Sequence, residues 1–199
     1  MIRELTYDLV FDAQTHFRLL MDSMARPGKL NVLNGVVIDP PASLNPASAL
    51  IGLALLNADV TYYAAENADV ITDYFVTNTA SQPAPADVAD FVFLPGNHEP
   101  EIVIEAKIGT LSYPETNAFI VIDVATISAE PITDSVPITL AGPGVNGETT
   151  VFMRGLNPDL LRTIRQKNAE YPLGLDTILT DRDGQICCIP RSNQFSLGS

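Results

Sequence analysis

Residues 118–124 read AFIVIDV, a continuous apolar run closed by an acid. Such a run suits a strand covered on both faces, since neither side of it meets water. Upstream, DFVFLP (90–95) is a second strand bounded by proline, and VTYYA (60–64) is a third with β-branched and aromatic composition. Leu30–Leu33 reads as a short fourth. Helical patterns lie between them. Asp12 is a good N-cap for a helix reaching Arg26, with Phe17, Leu20, Met21 and Met24 at i, i+3, i+4, i+7 and Pro27-Gly28 as its stop. The cluster DPPASLNP (39–46) leads into a helix over residues 46–57, apolar on most sides and so expected to be buried. A third helix over 69–77 puts Val70, Ile71, Tyr74 and Phe75 on one face, and EIVIEAK (101–107) leans to helix.

After Asp123 the pattern changes. VPITLAG and TTVFMRG flank the turn GPGVNGE, which reads as an antiparallel pair, and Pro158-Asp159 opens a helix with Leu160, Leu161 and Ile164 inward. LDTILT and QICCIP flank Asp181–Gly184 as a second hairpin. Helices alternating with strands early and hairpins late predict a three-layer α/β/α domain with a mixed sheet, spanning 1–199 as one unit.

Composition narrows the class. At 199 residues roughly 70% of the unfolded surface should be buried on folding, so the core needs no staple. Lys and Arg total 11 against 24 Asp and Glu, a net charge of −13 that repels phosphate backbones and anionic membranes. No basic patch offsets it, so no nucleic-acid partner is expected. The longest apolar stretch, ALIGLALL (49–56), is far short of a bilayer span, and the N-terminus lacks a signal-peptide run, which together predict a cytoplasmic protein without membrane contact. Cys187 and Cys188 are adjacent; as strand neighbours they point to opposite faces, and they read as small buried hydrophobes rather than a disulfide. Two distant histidines, His16 and His98, supply no zinc-site spacing, and no metal is expected.

Few residues suggest chemistry. Gly142-Pro143-Gly144 follows an apolar strand and could bring backbone N–H groups to a phosphate, but a tight hairpin turn explains it more readily. Arg191, after Pro190 at a strand end, has the donor fork for an oxyanion and is expected to be exposed; a surface arginine in a mobile tail is the alternative. Arg26 can complement a helix dipole, and His16 can be a general base or a hydrogen-bonded buried histidine. Asp176 and Asp123 are candidate acids. There is no GxSxG elbow, and none of Lys29, Lys107 and Lys167 sits where a Schiff base would be presented to a pocket.

Three segments together resemble one family. FDAQTHFRLLMDSMARPG (11–28), LAGPGV (140–145) and YPLGLDTILTDRDGQICCIPRS (171–192) are similar, in this order, to the H subunit of the bacterial carbon–phosphorus lyase system for phosphonate breakdown, PhnH. Val145 stands where Ile is equally expected, and residues 30–135 contribute no motif. The resemblance implies a fold like the large domain of pyridoxal-phosphate-dependent transferases, used without that cofactor. It implies a homodimer that joins the G, I and J subunits, in the step that couples a phosphonate to the ribose of ATP with release of adenine. It carries over no catalytic residue. Arg26, Pro27, Gly28, Gly142, Pro143, Gly144, Gly174, Asp176 and Arg191 are the matched positions, offered as surface or ligand candidates. The rival readings are a free-standing enzyme whose Gly142–Gly144 turn and Arg191 hold a phosphate, and a binding module for phosphonates. Helices 12–26 and 46–57, both richly apolar, are the expected dimer faces.

Overall fold

A computed structural model describes Glu4 and residues 6–198. In chain order its elements are α1 (Phe11–Ala25), β1 (Asn31–Val32), α2 (Pro46–Leu55), β2 (Thr61–Ala64), α3 (Ala68–Thr79), β3 (Gln82–Pro83), β4 (Phe91–Pro95), α4 (Glu101–Glu105), β5 (Phe119–Asp123), β6 (Thr126–Ser128), β7 (Ser135–Ala141), β8 (Glu148–Arg154), α5 (Pro158–Lys167), β9 (Asp176–Thr180), β10 (Gln185–Ile189) and β11 (Gln194–Leu197). The fold is α/β with a mixed sheet. Among the described residues no helix is long and apolar enough to cross a membrane.

The apolar run at 118–124 lies at the centre of that sheet. Seven strands pair in the order β1-β10-β9-β5-β4-β2-β3, and only β10 runs against its neighbours. Successive residues of each central strand enter opposite cores. Ile120 and Ile122 join Val92, Leu94, Leu179 and Cys187 on one face. Val121 joins Phe93, Ile178 and Cys188 on the other, beneath α1, α2 and α3. The two cysteines therefore diverge as strand periodicity requires.

The hairpin of β7 and β8 does not extend this sheet. It belongs to a second, antiparallel sheet in the order β11-β7-β8-β6, which with α4 and α5 covers the face opposite α1–α3. Sequence patterning reads strand pairs locally and does not say which sheet a hairpin joins. The C-terminal residues are likewise paired: β11 runs antiparallel to β7, with Phe195 opposite Leu140.

The first helix departs from its expected detail in two ways. Asp12 is not the N-cap. Asp8 Oδ1 accepts from the N–H groups of Val10 and Phe11 at 2.8 and 2.9 Å, and Asp12 Oδ2 accepts from Asp8 N, so the two acids cap reciprocally one turn earlier. The buried stripe is also rotated: His16, Leu20 and Ser23 face inward, whereas Phe17 and Met21 are about half exposed. Polar residues can occupy the inner face because each is satisfied. His16 bonds the Tyr7 hydroxyl and the Asn34 carbonyl, both at 3.2 Å, and Ser23 accepts from Asn31 Nδ2 at 2.8 Å. In α3, Val70 likewise turns outward while Ile71, Tyr74 and Phe75 are buried.

Helix α2 is buried on nearly every side. That meets the expectation of burial, but it removes the 46–57 segment as a dimer face. Of the two helices, only α1 presents an apolar side to solvent.

Candidate functional site

Three stretches remote in sequence meet at one junction. They are the end of α1 with Pro27-Gly28, the turn at 142–147 between β7 and β8, and the segment Pro190–Asn193 after β10. Gly144 has φ +80°, and a Cβ there would overlap the Ala25 carbonyl oxygen and lie 3.0 Å from Pro27 Cδ. Gly28, at φ +84°, packs in the same way against the Thr149 side chain. Only glycine permits both the backbone conformation and the approach. Asn193 ties the third stretch in, donating from Nδ2 to the carbonyls of Ala141 at 3.2 Å and Pro143 at 2.9 Å. The Gly142–Gly144 turn is thus closed on the chain's own backbone. Arg26 stands apart: its exposed guanidinium pairs with Asp22 one turn earlier, and Asp22 also receives Lys29 at 2.6 Å.

Arg191 differs from its expected exposed state, because its side chain is only 17% exposed. Its Nη1 donates to the Pro114 carbonyl at 2.7 Å and lies 3.8 Å from Asp176 Oδ2. The Asp176 carboxylate in turn accepts from Arg191 N at 2.8 Å and from Asn117 Nδ2 at 3.0 Å. The pair clamps the 114–117 loop, the start of β9 and the end of β10 together. Burial follows from that clamp, since a guanidinium satisfied by a carbonyl and a carboxylate can leave water at little cost.

Beside the clamp opens a cleft of about 430 Å³, lined by Arg165, Asn168, Tyr171, Arg191 and Asn193 among others. Two arginines line it in a chain of net charge −13, a local concentration of positive charge. Of the candidates from sequence, Arg191 lines this cleft, Asp176 acts through Arg191, Gly142 and Gly144 pack the neighbouring junction, and Arg26 lies outside. Arg165 carried no motif, and Tyr171 opened a family segment without being singled out; only folding brings α5 and the 171–174 turn to Arg191.

Neither the cysteines nor the histidines line this cleft. Burial pushes the Cys187 thiol up to about 12, and burial raises Cys188 as well. His16 is enclosed with Tyr7, and His98 Nδ1 sits 2.7 Å from the Glu99 carbonyl. No group of three or more His, Cys, Asp or Glu side chains that could hold a metal ion occurs among the described residues. A second cleft of the same volume opens on the opposite edge of the sheet, around Asp123 and Arg182.

A family model described as bacterial phosphonate metabolism protein (PhnH) matches residues 6–196. The chain belongs to the PhnH family. It is 30% identical over 198 residues to the alpha-D-ribose 1-methylphosphonate 5-triphosphate synthase subunit PhnH of Rhizobium meliloti (strain 1021), covering 94% of this chain and 92% of that protein. It is 26% identical over 186 residues to HtxG of Stutzerimonas stutzeri, provisionally assigned as a C-P lyase subunit, covering 92% and 86%. All three segments that carried the resemblance fall inside the matched range; the junction puts the first two in direct contact, and Asn193, the residue that follows the third, bonds the second.

Proposed function

We propose that this PhnH-family chain is an accessory, non-catalytic subunit in organophosphonate catabolism. It supports the coupling of a phosphonate to the ribose of ATP with release of adenine. The observation that carries this reading is the use made of the family's signature segments. The glycine contacts join the first two segments and Asn193 bonds the second, while among the described residues no histidine or cysteine lines the cleft beside them. A part whose characteristic residues build a rigid junction suits a scaffold better than a free-standing enzyme.

The partners in this reading are a second copy of the chain and the G, I and J subunits, in the cytoplasm. Charged residues are only 18% of the sequence, and the outer side of α1 exposes Phe17 and Met21, in line with Val10 just before the helix. Large exposed apolar side chains aligned on a helix favour an interface. A fold of the pyridoxal-phosphate-transferase type without the cofactor is part of the same reading. Each lysine is engaged elsewhere: Lys29 with Asp22, Lys107 with Asp90, and Lys167 with the Ala106 carbonyl.

Incubating the purified chain with ATP and methylphosphonate, alone and then with the partner subunits, tests the assignment. Adenine release is expected only in the mixture; turnover by the chain alone overturns it. Light scattering should give a dimer mass that the double variant Phe17→Glu/Met21→Glu halves without loss of helical signal. A monomer in the parent protein at micromolar concentration removes the α1 face from the model of assembly.

A further inference from the structure

Ligands of open α/β sheets gather outside the carboxyl ends of parallel strands, where successive crossovers leave on opposite faces. That point lies between β2 and β4. From β2 the chain passes through α3, whose Ile71, Tyr74 and Phe75 join the core under α1–α3. From β4 it passes through α4, whose Val103 joins the opposite core. The loops that part there carry Glu66 and Asn67 after β2 and Asn97 after β4. They line a cleft of about 430 Å³ with Asp123, the last residue of β5, and Arg182, which follows β9.

We infer that this cleft binds a small zwitterion, with its ammonium group against Asp123 and Glu66 and its oxyanion against Arg182. The argument rests on charge and hydrogen-bond capacity. Asp123 Oδ1 accepts from the hydroxyls of Ser48 and Thr180, whereas Oδ2 accepts a single bond, from Asn45 N at 3.0 Å. A carboxylate offers about four acceptor positions, so Oδ2 keeps one for a donor. Burial raises the Asp123 pKa against the bonds from Ser48, Asn45 and Thr180, a cost that an ammonium group in the cleft offsets. Two carboxylates and one guanidinium disfavour a polyanion such as a nucleoside triphosphate. One ammonium and one oxyanion on the same small molecule match them. Asn67 and Asn97 at the rim add neutral donors and acceptors. Arg182 is exposed, donates a 3.3 Å bond to the Ala42 carbonyl and acts on Asp123 through its charge, so its guanidinium stands at the cleft beside that carboxylate.

An amino acid and an aminoalkylphosphonate share this chemistry. Calorimetric titration of the full chain with β-alanine and with 2-aminoethylphosphonate distinguishes them, and ethylphosphonate, which lacks the ammonium, serves as the contrast. At least one zwitterion should bind saturably, with ethylphosphonate inert. Arg182→Ala and Glu66→Gln alter exposed side chains and should fold, as circular dichroism will show. Each should weaken binding by about tenfold, the loss expected for one charge-assisted hydrogen bond. No saturation by either zwitterion up to about 10 mM, equal binding of ethylphosphonate, or unchanged affinity in both variants overturns the inference. The subunit assignment is tested separately by complex formation, so either can fail without the other.

Discussion

Replacing Arg191 with alanine separates a clamp from a surface side chain. The substitution removes the 2.7 Å bond to the Pro114 carbonyl and the 3.8 Å ion pair with Asp176. It leaves Asp176 two donors, Arg191 N and Asn117 Nδ2, so no buried carboxylate is stranded. A hydrogen bond from a charged donor contributes about 1.5–3 kcal/mol, and the long ion pair adds little to that. The freed Pro114 carbonyl beside an open cleft can take a water, which returns part of the loss. The net cost is about 2 kcal/mol. For a chain of this size each kcal/mol moves the midpoint by about 2–4 °C, so calorimetry should record a fall of about 4–8 °C. Arg191→Lys should fall between, because an ammonium keeps the charge near Asp176 but loses the planar fork. A drop below about 1 °C in the alanine variant would show that the guanidinium holds nothing together. In that case any growth defect on phosphonate would have to come from lost ligand contact.

Gly144→Ala should cost about 2–4 kcal/mol, adding the strain of a positive φ to overlap with the Ala25 carbonyl, whereas Gly147→Ala, at φ +72° but in open space, should cost about 1 kcal/mol; equal losses in urea unfolding would deny the junction its role. Burial works against the charge of Asp90, but the Lys107 ammonium and the Thr61 N–H and hydroxyl outweigh it and hold the carboxyl below its usual range. Its contribution is therefore complete above the unfolded carboxylate pKa and is lost as the pH falls through the folded value. Asp90→Asn should destabilise at pH 7 and become neutral in strong acid; a gap that persists or widens in acid contradicts the pairing. Cys187 and Cys188 should resist iodoacetamide in the native protein and react once it is unfolded, as mass spectrometry will show; rapid native labelling of either contradicts their burial.

The parts of the fold that sequence revealed are those fixed by local periodicity. AFIVIDV, DFVFLP and VTYYA announce buried strands because, Asp123 and Asp90 aside, their residues are apolar, aromatic or β-branched, and α5 announces itself through Leu160, Leu161 and Ile164. What stayed hidden depends on partners distant in sequence. Nothing local to VPITLAG says that it pairs with β11 instead of extending the main sheet. The stripe on α1 misled because Phe17 and Met21 are apolar yet outward, while His16 and Ser23 are polar yet buried against Tyr7, Asn34 and Asn31. Arg191 and Asp176 were legible as candidates. Their contact was not, since it needs the reversed direction of β10 to return residue 191 to the start of β9.

That reversal also decides which cleft suits a ligand. Arg191 was singled out because it ends a strand, but the strand is β10, the one that runs against its neighbours. Its end therefore lies at the amino edge of the parallel strands, where Asp176 begins β9 opposite Phe119 of β5. The carboxyl edge holds the Asp123 cleft, and apart from Gly155 and Arg182 its lining comes from residues 43–125, within the stretch that supplied no family motif. The signature segments build the junction that fixes the fold, while a largely separate set of residues lines the crevice where chemistry in such sheets is sited. Relatives that share the junction segments can therefore differ at rim positions outside them, such as Glu66 or Asn97. Specificity for a small molecule should then follow those rim residues, not the Arg-Pro-Gly or Gly-Pro-Gly turns. Exchanging residues 66 and 97 between family members should move ligand preference without moving the thermal midpoint by more than about 2 °C, because the Glu66 and Asn97 side chains are exposed. If preference instead tracks the turns, the crevice is not where this chain reads its ligand.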